Sequence, residues 1–190
     1  MLEKNIKINA YIDNGYWKDI GNISEYFAAN MDCLESKVRI ELNEERIENT
    51  NFYVGKNTNI NFTSTLEGSV IIGENSIIEP KARIKNSIIG KNVHIGKNCN
   101  IENTIIWDNT QILQDSQIRN SIILDNVTIG SQTIIDDNCV VSSSVKIGNN
   151  VIIKPNVKIW PNKEVESGAI LSSSLIWAEK WSYMLFGNYT

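Results

Sequence analysis

Residues 84–123 read IKNSIIGKNVHIGKNCNIENTIIWDNTQILQDSQIRNSII, and the phrase IKNSII returns as IENTII and IRNSII at intervals of seventeen residues. A fixed period of this kind marks a stacked repeat and has to be read before anything else in the chain. The unit inside it is a hexad. Large aliphatic residues fall six apart at Val54, Ile60, Leu66, Ile72, Ile78 and Ile84, and again at Ile129, Ile135, Val141, Ile147, Ile153, Ile159 and Val165. Between these runs the phase slips by one residue, from Ile84 to Ile89, Ile101 to Ile106 and Ile118 to Ile123. Three hexads with one short corner make seventeen, which gives columns such as Ile72, Ile89, Ile106, Ile123 and Val140, or Ile84, Ile101, Ile118 and Ile135.

A helix places apolar residues three and four apart, and a half-buried strand places them every second residue. Period six fits neither. It fits a short strand, a corner, a short strand and a corner, with three sides closing a triangular coil. Successive coils then stack with parallel strands about 4.8 Å apart. The column aliphatics point inward and bury a continuous core that no single coil could bury alone. The corner residues agree. Gly73, Gly90, Gly96, Gly130 and Gly148 follow column positions directly, and Pro80, Pro155 and Pro161 stand two after them, where a ladder donor is not needed. Asn75, Asn92, Asn109 and Asn126 form a column three after, and Asn86, Asn103 and Asn120 another at the short corner. Asn tolerates the left-handed backbone region that tight corners demand, and stacked Asn side chains can bond to one another up the coil. The fold class expected is all-β, a parallel β-helix.

The 190 residues carry a net charge of −4, which disfavours nucleic acid and anionic membranes as partners. No apolar run approaches the roughly 20 residues that span a bilayer, and MLEKNIKINAYIDNGYW holds no apolar signal core. Cys33, Cys99 and Cys139 lack metal-ligand spacing. Reduced core thiols in a cytoplasmic protein are the expectation.

Residues 23–37, ISEYFAANMDCLESK, read as a helix with Asn22 or Ser24 as its cap and Ile23, Tyr26, Phe27, Met31 and Leu34 on one side. Residues 38–53 form a charged connector, 54–170 the β-helix, and 171–190 an aromatic tail with Trp177, Trp181, Tyr183 and Phe186. The helix and the tail are each a candidate cap for the solenoid ends or a stub of a further domain.

Catalytic patterns are scarce. The single histidine, His94, precedes column residue Ile95 and so is expected on a flat outer face. No phosphate-binding Gly-rich loop is present, and the SSS runs at 142–144 and 172–174 have no Ser/His/Asp context. One stretch obeys no coil period: GYWKDIG, residues 15–21, ahead of the helix. GYWKDIG followed by a Tyr/Phe-bearing helix resembles the closing segment of sugar-1-phosphate nucleotidyltransferase catalytic domains, where a W-x-D-x-G stretch precedes a helix and a left-handed β-helix follows. The I-x-N-S-I-I phrases resemble the β-helices of that family, closest to its mannose-1-phosphate guanylyltransferase and glucose-1-phosphate adenylyltransferase branches. The tail SSSLIWAEKWSYMLFGN resembles the junction to a phosphohexomutase domain in fusion proteins.

The resemblance implies a left-handed β-helix, an upstream nucleotidyltransferase domain of which residues 1–37 are the end, and a downstream phosphohexomutase domain. It also implies self-association through β-helix faces and Mg²⁺ in the intact parent. Asp19 matches the family's metal-binding aspartate, and a carboxylate is the natural ligand for that ion. No catalytic or cofactor-binding residue is expected in the 190 residues themselves. A packing role for Trp17, Asp19 and Gly21 against the helix is the competing expectation. The competing function is a standalone hexapeptide-repeat acyltransferase with His94 as base, which would work as a trimer and take an acyl-coenzyme A.

Overall fold

The computed structural model describes residues 10–38 and 40–176, together with the backbone of 180–181. From Phe52 upward the chain winds as a parallel β-solenoid with three flat faces. The first face carries Phe52–Val54, 70–72, 87–89, Ile105–Ile106, Ile122–Ile123, Val140–Val141 and Lys158–Ile159. The second carries Asn59–Ile60, Ile77–Ile78, His94–Ile95, Gln111–Ile112, Thr128–Ile129, Lys146–Ile147 and Glu164–Val165. The third carries 65–67, 83–85, Asn100–Glu102, Gln117–Arg119, Ile134–Ile135, Ile152–Ile153 and Ile170–Leu171. Every rung pairs in parallel with the next, and the column aliphatics from Ile72 to Ile159 are buried inside the triangle.

One column needs correction. Ile123 pairs with Val141, and Val140 pairs with Ile122, so the first-face column runs through Val141 rather than Val140. The corner between the third and first faces is short in only three coils. Above Ile135 it regains its sixth residue, and the step from Ile123 to its partner becomes eighteen. In the lowest coil the same corner keeps its extra residue as an irregularity between Glu67 and Val70. Gly68 adopts φ +68° there, and a Cβ would collide with Asn86 Oδ1.

The corners use the left-handed region as expected. Asn75, Asn92, Asn109 and Asn126 have φ between 53° and 59°, and the short-corner Asn86, Asn103 and Asn120 between 43° and 46°. Asn92 Nδ2 donates to Asn109 Oδ1 at 3.1 Å, one coil up. Pro80 and Lys81 are the central residues of a turn in which Ala82 N–H donates to Glu79 O (3.3 Å). Lys81 has the positive φ, 62°, that type II turns require after a proline.

Two residues before each column position lies a second inward row, and much of it is polar. Ser76, Ser87, Thr104, Thr110, Ser116, Ser121 and Thr133 are all buried. Ser116 shows how the row is satisfied: its Oγ donates to Gly130 O (2.9 Å) and accepts from Thr133 N–H (3.2 Å), both on the coil above. Six of the seven hydroxyls bridge coils in this way, whereas Thr104 Oγ1 donates within its own coil, to Glu102 O (2.8 Å). Cys99 and Cys139 occupy the same row and donate to Leu113 O and Lys154 O. Burial pushes both thiols up to about 11, so they stay protonated at neutral pH. Ser116→Ala should cost about 2 kcal/mol, since it leaves a buried N–H without its acceptor and a carbonyl without its donor. A urea midpoint lowered at unchanged slope would report it; an unchanged midpoint would mean that the hydroxyl bridge carries no stability.

Candidate functional site

Outward residues distinguish the three faces. On the second face they are mostly polar: Asn59, His94, Gln111, Thr128, Lys146 and Glu164, with Ile77 the exception. On the first face the outward positions of the five middle rungs are Ile71, Ile88, Ile105, Ile122 and Val140, with Tyr53 below them and Lys158 above. These are the first members of the doublets VII, SII, TII, SII and CVV, whose second aliphatic residue is the inward column. Ile71, Ile105 and Ile122 are nevertheless buried, at 8%, 2% and 4% exposure. What covers them is helix α1, Ile23–Leu34.

The helix begins where Asn22, in extended conformation, accepts from Glu25 N–H through Oδ1 at 2.9 Å. Of the two candidate caps, Asn22 is the one used. The helix ends three residues earlier than the sequence suggested. Ser36 turns to φ 61°, its N–H donates to Cys33 O, and Lys37 N–H donates to Asp32 O. This is a Schellman closure, made here without glycine. The N-terminal turn of α1 lies beside Ile122, Val140 and Lys158. Its middle lies beside Ile88, Ile105 and Trp107, and its end beside Ile71 and Tyr53. It therefore runs down the first face, against the direction in which the coils stack. Trp107 Nε1 donates to Tyr26 OH (3.1 Å), with the two rings edge to face at 6.4 Å between centroids. A groove of about 450 Å³ follows the helix, between Ile23 and Phe27 on one side and Ile122, Val140 and Lys158 on the other.

The GYWKDIG stretch is tied to the helix through one residue that the sequence did not single out, Asp32. Its carboxylate accepts from Tyr16 OH, Lys18 Nζ and Lys37 Nζ, each at 2.9 Å. Those donors, Lys37 foremost, hold the Asp32 carboxyl well below the usual carboxylate range. A depressed carboxyl adds stability above its unfolded pKa, and that stability is lost as pH falls through the folded value. Carbon NMR should therefore find Asp32 still ionised at about pH 3, where an ordinary Asp, near 3.9, is largely protonated. Lys37→Met should move its titration upward. An inflection at the ordinary value in the unaltered chain would show that the clamp does not hold in solution.

Trp17 does not pack. It is 83% exposed, because its neighbours Tyr16 and Lys18 both turn toward Asp32 and the residue between them turns away. Asp19 is exposed on the same stretch, and the nearest atoms to a Cβ built on Gly21 would be its carboxylate, at 3.7 Å. Among the described residues no group of three or more His, Cys, Asp or Glu side chains could hold a metal ion. A lone exposed carboxylate suits one donor among several around Mg²⁺ and cannot hold the ion by itself. His94 stands apart, on the second face. It is half-buried between Ile77 and Gln111 in regular coil, with Nε2 3.1 Å from Glu79 Oε1. No described helix is long and apolar enough to cross a membrane.

A three-faced coil of hexads with a helix laid on one face defines a parallel β-helix domain. Residues 49–153, more than half of the chain, match the family model described as the EIF2B subunit epsilon LbH domain, and the chain belongs to that left-handed β-helix family. Among curated proteins it is 36% identical over 87 residues to glucose-1-phosphate adenylyltransferase of Clostridioides difficile (strain 630), covering 41% of this chain and 22% of that one. It is 39% identical over 97 residues to the Clostridium kluyveri enzyme of the same name, covering 46% and 25%. The chain thus spans about a quarter or less of the length of these relatives. Among solved structures, the Francisella novicida UDP-N-acetylglucosamine acyltransferase shares the fold. Its TM-score is 0.50 at 20% identity, over 65% of this chain and 53% of that one.

Proposed function

We propose that this chain is the β-helix segment of a sugar-1-phosphate nucleotidyltransferase, acting in assembly and positioning and contributing no catalytic base or nucleophile. The observation that carries the reading is the seating of α1. The helix that bears the GYWKDIG stretch at its head is fixed to the solenoid along a dedicated aliphatic face. A nucleotidyltransferase domain continuous with that stretch would be held in a set position on the β-helix. The coil identity with glucose-1-phosphate adenylyltransferases supports the same class. In the parent reaction a sugar 1-phosphate oxygen attacks the α-phosphorus of a nucleoside triphosphate, and pyrophosphate leaves. Asp19 would supply one oxygen ligand to Mg²⁺, which when bound would neutralise charge on the phosphates. The remaining flat faces serve self-association, the protein works in the cytoplasm, and the guanylyl and mannose branch with a downstream phosphohexomutase is the narrower form of the proposal.

The test uses the full-length protein. Nucleoside triphosphate and sugar 1-phosphate should yield pyrophosphate only with Mg²⁺, and Asp19→Ala should lower kcat by about 100-fold. The 190-residue chain alone should neither turn over these substrates nor bind coenzyme A. Acyl transfer from coenzyme A by this chain, abolished by His94→Ala, would overturn the proposal in favour of an acyltransferase.

A further inference from the structure

Helix α1 has a second attachment, on the side away from the solenoid. At 3.6 residues per turn, Ile23, Phe27 and Leu34 fall on one side of it, and Glu25 and Asp32, two turns apart, fall on the opposite side. Ile23 and Phe27 lie beside Ile122 and Val140, and Leu34 beside Ile71, so Asp32 stands on the outer side of the helix. Lys18 Nζ reaches across those two turns, 2.9 Å from Asp32 Oδ2 and 3.9 Å from Glu25 Oε2. Tyr16 OH donates to the same Oδ2, while Lys37 Nζ occupies Oδ1. A single exposed ion pair would hold little. Here one carboxylate accepts from three donors, and the side chains of Asp32 and Lys18 are only 18% and 22% exposed. The helix is thus a middle layer, with the first face beneath it and the stretch 16–18 fastened above.

The chain is fastened again at Asn22, whose side chain accepts from Glu25 N–H. Only Asp19, Ile20 and Gly21 lie between that anchor and Lys18. Consecutive Cα atoms are about 3.8 Å apart, so fixing Lys18 at one end and Asn22 at the other confines Asp19 to a short arc. Trp17 and Asp19 flank the fastened Lys18 and are both exposed, which leaves them presented away from the helix. Without the tie at Asp32, Asn22 would be the one anchor left to this arc, and Asp19 would swing with the chain ahead of it.

We propose that Asp32 is a positioning residue for nucleotidyl transfer: by fastening Tyr16 and Lys18 to the outer side of α1, it fixes the place from which Asp19 is presented to the cation. This deepens the nucleotidyltransferase reading above and rests on it. Asp32 acts through Tyr16 and Lys18, without contact to ion or substrate. What it sets is the fraction of molecules in which Asp19 stands in the binding-competent place, and an apparent affinity weakens in proportion as that fraction falls.

Two measurements on Asp32→Ala test this. Alanine is the best helix former, so α1 itself is not weakened by the change. In the 190-residue chain, nitrogen relaxation should show the Trp17 and Asp19 amides passing from rigid order parameters, near about 0.85, to below about 0.6. The amides of Ile101 and Ile118 should not change. In the full-length protein the half-saturating Mg²⁺ concentration should rise about tenfold, with kcat at saturating Mg²⁺ nearly retained. Tyr16→Phe combined with Lys18→Met removes the same tie from the other side and should loosen Trp17 and Asp19 in the same way. Lys37→Met leaves the tie in place and should change neither the order parameters nor the Mg²⁺ dependence. Unaltered order at Asp19 in Asp32→Ala would overturn the proposal. So would an unshifted Mg²⁺ dependence, or a loss of kcat that Mg²⁺ does not restore, while the unaltered protein transfers nucleotide. Absence of Mg²⁺-dependent transfer by the unaltered full-length protein would instead overturn the nucleotidyltransferase reading, and this proposal with it.

Discussion

Gly130→Val is expected to lower the free energy of unfolding by about 3 kcal/mol, at the upper end of the usual cost of overpacking. A Cβ on Gly130 would lie 2.4 Å from both the carbonyl carbon and the oxygen of Gly148, one coil above. Those are backbone atoms held in a ladder, so no side chain can rotate out of the way. Gly148 is similarly confined, its Cβ position lying 2.5 Å from Ser167 N. The added side chain can be accommodated only if two coils separate. Solenoid stability is approximately a sum over coils and their interfaces. A wedge at one interface should therefore split the guanidinium transition, with the coils above Gly130 melting first. Gly21→Ala, which would meet only the Asp19 carboxylate at 3.7 Å, is the control and should cost little. Superimposable transitions for Gly130→Val and the unaltered chain would refute the close approach.

Ile105→Asp should strip α1 from the solenoid while leaving the coils folded. Ile105 is 2% exposed beneath the helix and faces away from the inward column. A charge left buried there without a partner costs about 3–5 kcal/mol. The inward columns do not touch this site, so lifting the helix relieves the cost more readily than unfolding the coils. An isolated helix of 12 residues is marginal in water, so α1 should then lose its structure. The expected signature is loss of helical circular dichroism and of amide protection over 23–34, with the Trp107 emission altered as its bond to Tyr26 breaks. The guanidinium midpoint of the coils should stay in place. Gln111→Asp, at the equivalent outward position of the second face, should do none of this. If the proposed function holds, Ile105→Asp should also depress nucleotidyl transfer in the full-length protein without touching a catalytic group. Retained protection across 23–34 would show that the stripe is not what holds α1.

The coils were legible because one inward residue in six is enough to define a column, and aliphatic side chains are unmistakable in that role. The same reading hid the first face's purpose. In SII or TII the second isoleucine satisfies the period, and the first was passed over as its neighbour, although it is the residue that seats α1. The signal was available: doublets recur on the first face from VII to CVV, while the second face pairs its column residue with His, Gln, Thr or Lys. The slip between Val140 and Val141 arose because a corner can gain or lose one residue without disturbing the strands on either side, so an interval carried from three coils failed in the fourth. The buried hydroxyl row was missed because small polar residues look like surface until the carbonyl above them is known. Trp17 was expected to pack because aromatic residues usually do, and only the threefold attachment at Asp32 shows which of its neighbours face inward. The aromatic side chains of the tail, from Trp177 to Phe186, lie outside the described residues.

The helix on the first face also has a definite length. Its 12 residues rise about 18 Å, and the four steps from Ile71 to Val140 rise about 19 Å. Helix and stripe are therefore matched end to end, as a gauge is matched to a part. Coil-built chains readily gain or lose a whole turn by duplication or deletion, because each turn presents the same edges to its neighbours. Here such a change would leave the column intact but shift one end of α1 off its seat. The first face thus counts turns, and it ties the number of coils between Ile71 and Val140 to the length of a helix that is not part of them.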